Sequence, residues 1–122
     1  MPNPFVHVEL NTTDVAKAKD FYGKLFAWKL EDMPMPDTPG ASYTMIDVGD
    51  GTGGGIMKHP MPGAQSAWIA YALVDDSEAS TKKAASLGAT IIRDVTPVPG
   101  MGSLSIIQDP TGAVLGLWKA GD

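Results

Sequence analysis

Three side chains able to bind a ligand or move a proton stand at alternate positions near the start of the chain. They are the imidazole of His7, the carboxyl of Glu9 and the amide of Asn11. Val6, Val8 and Leu10 fill the places between. Period-two alternation marks a half-buried strand, because successive side chains point to opposite faces. The polar residues therefore share one face and the apolar residues the other. The reverse register would bury an imidazole, a carboxylate and an amide against a helix and leave polar groups unpaired, so the apolar set takes the helix side. Glu9 and His7 are candidate general bases, and Asn11 is a candidate ligand contact. The structural alternatives are a sheet histidine bonded to a neighbour, and a Glu9 paired with Lys58 or Lys119 at a dimer seam.

The rest of the chain narrows the chemistry. There is no cysteine, which excludes disulfides, thiolate metal sites and a thiol nucleophile. The second histidine, His59, falls in a segment that reads as a connector. Gly53-Gly54-Gly55 lacks the Gly-Lys-Ser/Thr ending and the strand-to-helix setting of a phosphate loop. It fits a loosened sheet edge or a close backbone approach. A net charge of −5 with scattered lysines argues against nucleic acid as a partner. No apolar run reaches membrane-spanning length. Met1-Pro2-Asn3-Pro4 does not resemble the start of a secretory leader, so a cytoplasmic location is expected.

The elements that must position His7 and Glu9 occur twice along the 122 residues. Residues 5–11 read as a strand. Thr13 or Asp14 caps a helix in which Val15, Ala18, Phe21, Tyr22, Leu25 and Phe26 recur at helical spacing and bury one face. Strands are expected at 28–31, 42–48 and 54–58, separated by proline and glycine turns. A strand over 68–74 restarts the pattern. Asp76 or Ser77 caps a helix to about Leu87, with Gly88 as its stop. Three more strands follow at 89–95, 102–108 and 113–119, with turns at Pro97-Pro99-Gly100 and Asp109-Pro110-Thr111-Gly112. Laying Asp14 on Asp76 also lays Leu25 on Leu87 and Ala27 on Ala89. The order is β-α-β-β-β twice, joined near His59 to Gly63. This predicts one α+β domain over 1–122, with module one about 1–62 and module two about 63–122. A ferredoxin-like fold accommodates eight strands and two helices less well.

Three stretches carry a family resemblance. The first is His7-Val8-Glu9-Leu10-Asn11-Thr12-Thr13-Asp14 with Ala18-Lys19-Asp20-Phe21-Tyr22-Gly23-Lys24-Leu25-Phe26-Ala27-Trp28. The others are Ile69-Ala70-Tyr71 through Val74-Asp75-Asp76, and Asp109-Pro110-Thr111-Gly112. Together they resemble the vicinal oxygen chelate superfamily, the group of glyoxalases, bleomycin-resistance proteins and extradiol dioxygenases. The resemblance implies tandem βαβββ modules forming a curved mixed sheet around a cup-shaped cavity. It also implies a small-molecule ligand or substrate, and a homodimer with Trp118 or the loop from Met33 to Pro39 near its seam.

In metal-dependent members, His, Gln or Glu from the first, fourth, fifth and eighth strands hold a divalent ion. Here the first position falls on His7. The fourth falls near Ile56, Met57 or Lys58, the fifth on Ile69 or Trp68, and the eighth on Gly116. His7 is the only retained candidate ligand, so no metal and no other cofactor is expected. By the resemblance, the face of His7, Glu9 and Asn11 lines the cup. The repeat lays His7 on Ile69 and Glu9 on Tyr71. Tyr43, Met57, Met101 and Trp118 complete the candidate ligand contacts, as apolar and aromatic walls around a few polar groups. Trp28 and Trp68 are expected in the core.

These observations support a metal-free protein that binds a small organic molecule in the cup. The alternative is a lyase, isomerase or dioxygenase using Glu9 or His7, metal-free or with a non-standard metal site. A conventional metal enzyme and a purely structural domain are the remaining readings. The fold itself does not choose among them.

Overall fold

A computed structural model describes residues 2–34 and 42–121. The elements are β1 (Phe5–Thr12), α1 (Val15–Leu25), β2 (Lys29–Pro34), β3 (Ser42–Asp47), β4 (Gly54–Lys58), β5 (Ala67–Leu73), α2 (Ser77–Ser86), β6 (Thr90–Val98), β7 (Gly102–Gln108) and β8 (Val114–Ala120). The architecture is α+β, a βαβββ module repeated. Pro36 and Pro39 of the loop expected near a dimer seam lie outside the described residues.

The chain divides into two compact units, His7–Trp68 and a second formed by the segment ending at Val6 together with the chain from Ile69 onward. The N-terminal segment joins the second unit through hydrogen bonds. Leu73 N donates to Pro4 O at 2.9 Å, and Asn3 Nδ2 donates to Leu73 O at 2.6 Å.

In the first unit, β1 and β4 pair in parallel, β3 joins β4 antiparallel, and β2 joins β3 antiparallel. Asp14 starts α1, its carboxylate accepting from Lys17 N at 3.0 Å. Val15, Ala18 and Tyr22 pack on a core of Leu10, Ile46 and Ile56. The expectation that Phe21, Leu25 and Phe26 pack with them is corrected, since they are 57%, 55% and 45% exposed. Helical geometry puts Phe21 and Leu25 on the flank of the Val15–Ala18–Tyr22 stripe. Phe26 is the extended residue that closes the helix. Trp28, half-buried ahead of β2, packs against this core as expected, whereas Trp68, also expected in the core, is 38% exposed.

In the second unit, β5 pairs with β8 in parallel, and β7 lies antiparallel between β8 and β6. Asp76 caps α2 by accepting from Ala79 N at 3.0 Å. Gly88, with φ +105, takes the left-handed conformation that ends it. Two buried residues of α2, Ser77 and Thr81, meet the sheet through hydroxyls. Ser77 bonds Ser103, and Thr81 bonds Ser105 at 2.8 Å while donating to Ser77 O. Pro97, expected in a turn, lies within β6 opposite Ser103. The register of this edge strand shifts between Ile91 and Thr96, and an edge tolerates a residue without an N–H.

The Asp109 turn closes β7 onto β8. One Asp109 oxygen accepts from Thr111 N, Thr111 Oγ1 and Ala113 N at 2.7, 2.6 and 3.1 Å. The Thr111 hydroxyl, followed by backbone N–H groups, holds this carboxyl below its ordinary range.

A candidate site around Glu9

In β1, Leu10 packs beneath α1, and His7, Glu9 and Asn11 occupy the other face. Glu9 is 1% exposed and Asn11 is 2% exposed. A carboxylate so enclosed requires partners. Asn11 Nδ2 donates to Glu9 Oε1 at 2.8 Å, and Tyr43 Oη donates to Glu9 Oε2 at 2.8 Å. His7 Nε2 lies 2.7 Å from Tyr43 Oη, with the two rings stacked at 25°. Because the Tyr43 proton is directed to Glu9, the matching tautomer has His7 Nε2–H donating to the phenol oxygen. The hydrogen bonds then run in one direction, from His7 through Tyr43 to Glu9.

Gly55 makes the central contact possible. The strand order β3–β4–β1 separates Tyr43 from Glu9 by the whole of β4, and Gly55 is the β4 residue opposite Glu9. A Cβ on Gly55 would overlap the Tyr43 ring and hydroxyl. With hydrogen there instead, the phenol lies across β4 and reaches the carboxylate. Met57, 6% exposed, pairs with Asn11 on the same face. The sequence placed His7, Glu9, Asn11, Tyr43 and Met57 as candidates, and this unit brings them to one face. The role of Gly55 was missed, although its signal was a glycine run in a strand.

The second unit has a related arrangement of its own. Gly116 of β8 lies opposite Tyr71 of β5, and a Cβ on Gly116 would overlap the Tyr71 ring. Tyr71 and Ile69 are buried with Ile106, and Trp118 packs against them. Met101 stands apart from that cluster, 39% exposed in the turn between β6 and β7. Ile69, not Trp68, shares the Tyr71 cluster, while Trp68 turns to Tyr22 and Trp28.

Burial lowers the His7 pKa from its ordinary value, and the nearby Glu9 charge opposes that shift in part. The folded state thus prefers neutral His7. Above about pH 6.5 both folded and unfolded chains hold it neutral, so it adds no pH dependence. Below that value the unfolded chain takes up a proton that the folded chain resists, and stability falls until the lowered folded pKa is reached. We expect the urea midpoint to drop between about pH 6.5 and pH 5, above the range where carboxylates titrate. His7→Gln should flatten that limb, and an unchanged slope would contradict the assignment.

A repeated βαβββ module with a buried polar cluster on one sheet face defines a class of small-molecule-binding and catalytic folds. The family model of the Glyoxalase/Bleomycin resistance protein/Dioxygenase superfamily matches residues 5–117, and the chain belongs to that superfamily, the vicinal oxygen chelate group. It is 37% identical over 117 residues to "Putative glyoxylase CFP32" of Mycobacterium tuberculosis, covering 93% of this chain and 44% of that protein. It is 27% identical over 127 residues to "Anthracycline biosynthesis protein DnrV" of Streptomyces peucetius, covering 93% of this chain and 46% of that protein. The chain therefore spans less than half the length of these curated relatives. Methylmalonyl-CoA epimerase from Mycobacterium tuberculosis shares the fold, with a TM-score of 0.67 at 15% identity over 97% of this chain and 88% of that one.

Metal-dependent members of this group hold a divalent ion, and the residues here do not fit one. The repeat lays Glu9 on Tyr71, so the register makes Gly55 the first-unit counterpart of Gly116. The fourth-strand position is thus Gly55, in place of the expected Ile56, Met57 or Lys58. Ile56 belongs to the α1 core. At both glycines a tyrosine ring fills the space a ligand side chain would enter. Among the described residues, no group of three His, Cys, Asp or Glu is placed to hold an ion. No helix among them is long and apolar enough to cross a membrane.

Proposed function

We propose that this chain acts as a single domain that binds a small organic molecule against the face of His7, Glu9, Asn11, Tyr43 and Met57, without a resident divalent metal. The observation that carries this is the enclosed Glu9 carboxylate, oriented by Asn11 and Tyr43 beside the apolar wall of Met57. Ile69, Tyr71, Met101 and Trp118 are second-unit candidates for ligand contact. The directed chain from His7 through Tyr43 to Glu9 favours a second reading, a lyase or isomerase in which this chain moves a proton. In that step Glu9 takes a proton from an acidic carbon of the ligand, and Tyr43 remains hydrogen-bonded to the carboxyl. The structural relatives include an epimerase solved with methylmalonyl-CoA, so acyl thioesters belong in the first ligand panel.

Thermal-shift screening with acyl thioesters, 2-oxo acids and hydroxylated aromatics tests the proposal, with elemental analysis on the same preparation. A saturable rise in melting temperature is expected, and EDTA should leave that temperature unchanged. Stoichiometric Mn, Fe, Co, Ni or Zn bound through His7, or no ligand response across the panel, would overturn it. The protein is further proposed to be a cytoplasmic homodimer, for which light scattering should give about twice 12.8 kDa.

A further inference from the structure

The first unit carries a pocket on the sheet face opposite Glu9. α1 ends at Leu25, and the chain leaves through Phe26 toward β2. Past that end lies a pocket of about 280 Å³. Val8, Ile46, Val48 and Gly54 line it from the strands, and the indoles of Trp28 and Trp68 line it from above. Gly54 is held to glycine at this lining position, because a Cβ there would run into the Val8 carbonyl.

The walls are set before any ligand arrives. Trp28 and Trp68 meet edge to face with centroids 6.2 Å apart. Tyr22 meets Trp68 edge to face at 5.3 Å, and Phe26 packs on Trp28 at 4.5 Å. The Trp68 indole N–H donates to the Tyr22 hydroxyl at 3.2 Å, so that donor is already satisfied. Among the described lining residues there is no charged side chain, and Thr52 supplies the lone hydroxyl. An ion would lose its hydration here without compensation. Apolar cavities of about 150 Å³ hold a benzene ring, and dedicated ligand pockets begin near about 300 Å³.

The geometry points to a second binding site, bounded by the contacting Trp28–Trp68 pair and by Val8, Ile46 and Val48, for an uncharged planar hydrocarbon group of about two fused rings. It lies on the α1 side of the sheet and uses none of the polar groups around Glu9. Partial exposure of Trp68 leaves the pocket open for entry.

N-phenylnaphthylamine is a suitable probe, since it is uncharged and brightens in apolar surroundings. Titrated into the full chain and excited through tryptophan, it should show saturable emission at one equivalent. Val48→Phe fills the pocket and should weaken binding at least about tenfold. Trp68→Ala removes a partly exposed wall and should do the same, which keeps the test open if Val48→Phe does not fold. Glu9→Gln should bind the dye like the parent, so failure of this site is distinct from failure of the Glu9 proposal. Unsaturable binding, equal affinity in both pocket variants, or loss of dye in Glu9→Gln overturns the inference. So does a change from dimer to monomer in Trp68→Ala with no dye bound by the parent, because a second copy would then cover the pocket.

Discussion

Gly54→Ala should be the most damaging single-methyl change in the first unit, costing about 3 kcal/mol or more. The added carbon would overlap the carbonyl of Val8, which faces Gly54 across the parallel β1–β4 pair. No rotamer change relieves a contact with backbone. The strands must part, which strains the bond from Val8 N to Gly53 O at 3.1 Å and tilts β1 away from the sheet. Against a typical total stability of about 5–15 kcal/mol, that loss separates a folded from a marginal protein. Gly49→Ala is the control. Its φ of +94 carries a left-handed penalty, but nothing lies within 4 Å of the new carbon. That variant should lose only about 1–2 kcal/mol. Urea denaturation of both decides the matter, and near-equal losses would refute the close approach.

Glu9→Gln should leave the protein folded and remove its function. Both Glu9 oxygens accept hydrogen bonds, from Asn11 and from Tyr43. Glutamine keeps one acceptor and turns the other group into a donor. With its oxygen kept toward Asn11, its NH2 points at Tyr43 Oη. The phenol can then accept that bond and donate to His7 Nε2, provided His7 moves its proton to Nδ1. The network reverses direction and stays satisfied, so the stability loss should be about 1 kcal/mol. What disappears is the carboxylate. Ligand affinity or turnover should fall about a hundredfold if Glu9 accepts a proton or a ligand donor. Nitrogen NMR of His7 should record the tautomer exchange. Glu9→Leu offers no acceptor; Tyr43 can still turn its proton to His7, but Asn11 Nδ2 loses the buried acceptor it uses, so this variant should cost more stability, about 2–3 kcal/mol. Full function in Glu9→Gln would make the cluster structural.

Much of this was legible in the chain because it is local. Alternation separated His7, Glu9 and Asn11 from Leu10, and short-range caps marked the helix starts at Thr13 or Asp14 and at Asp76 or Ser77, of which Asp14 and Asp76 are the caps. What escaped was non-local. Tyr43 reaches Glu9 only because Gly55, on a strand between them, lacks a side chain. That fact requires the register of three strands at once. The apolar residues of α1 showed helical spacing, but spacing alone did not say that Phe21 and Leu25 lie beside the packed stripe. Pro97 looked like a turn residue because its missing N–H matters only in an inner strand, and β6 is at an edge. The aromatic wall of Trp28 and Trp68 joins residues forty positions apart and has no periodic signature.

The hydroxyl seam beneath α2 gives that helix a different thermodynamic character from α1. α1 rests on Leu10, Ile46 and Ile56, a contact whose strength comes from excluded water and which tolerates small rotations. α2 meets β7 partly through Ser77–Ser103 and Thr81–Ser105, bonds that have direction and lapse when the helix turns or slides. Burying hydroxyls also adds little positive heat capacity to unfolding, whereas burying methyls adds much. The α1 contact therefore weakens on cooling, and the α2 seam holds its strength there. The two halves of one repeated motif thus meet temperature differently, one helix held by volume and the other, with Ala84 on Val74, Ile107 and Leu117, by volume and angle together.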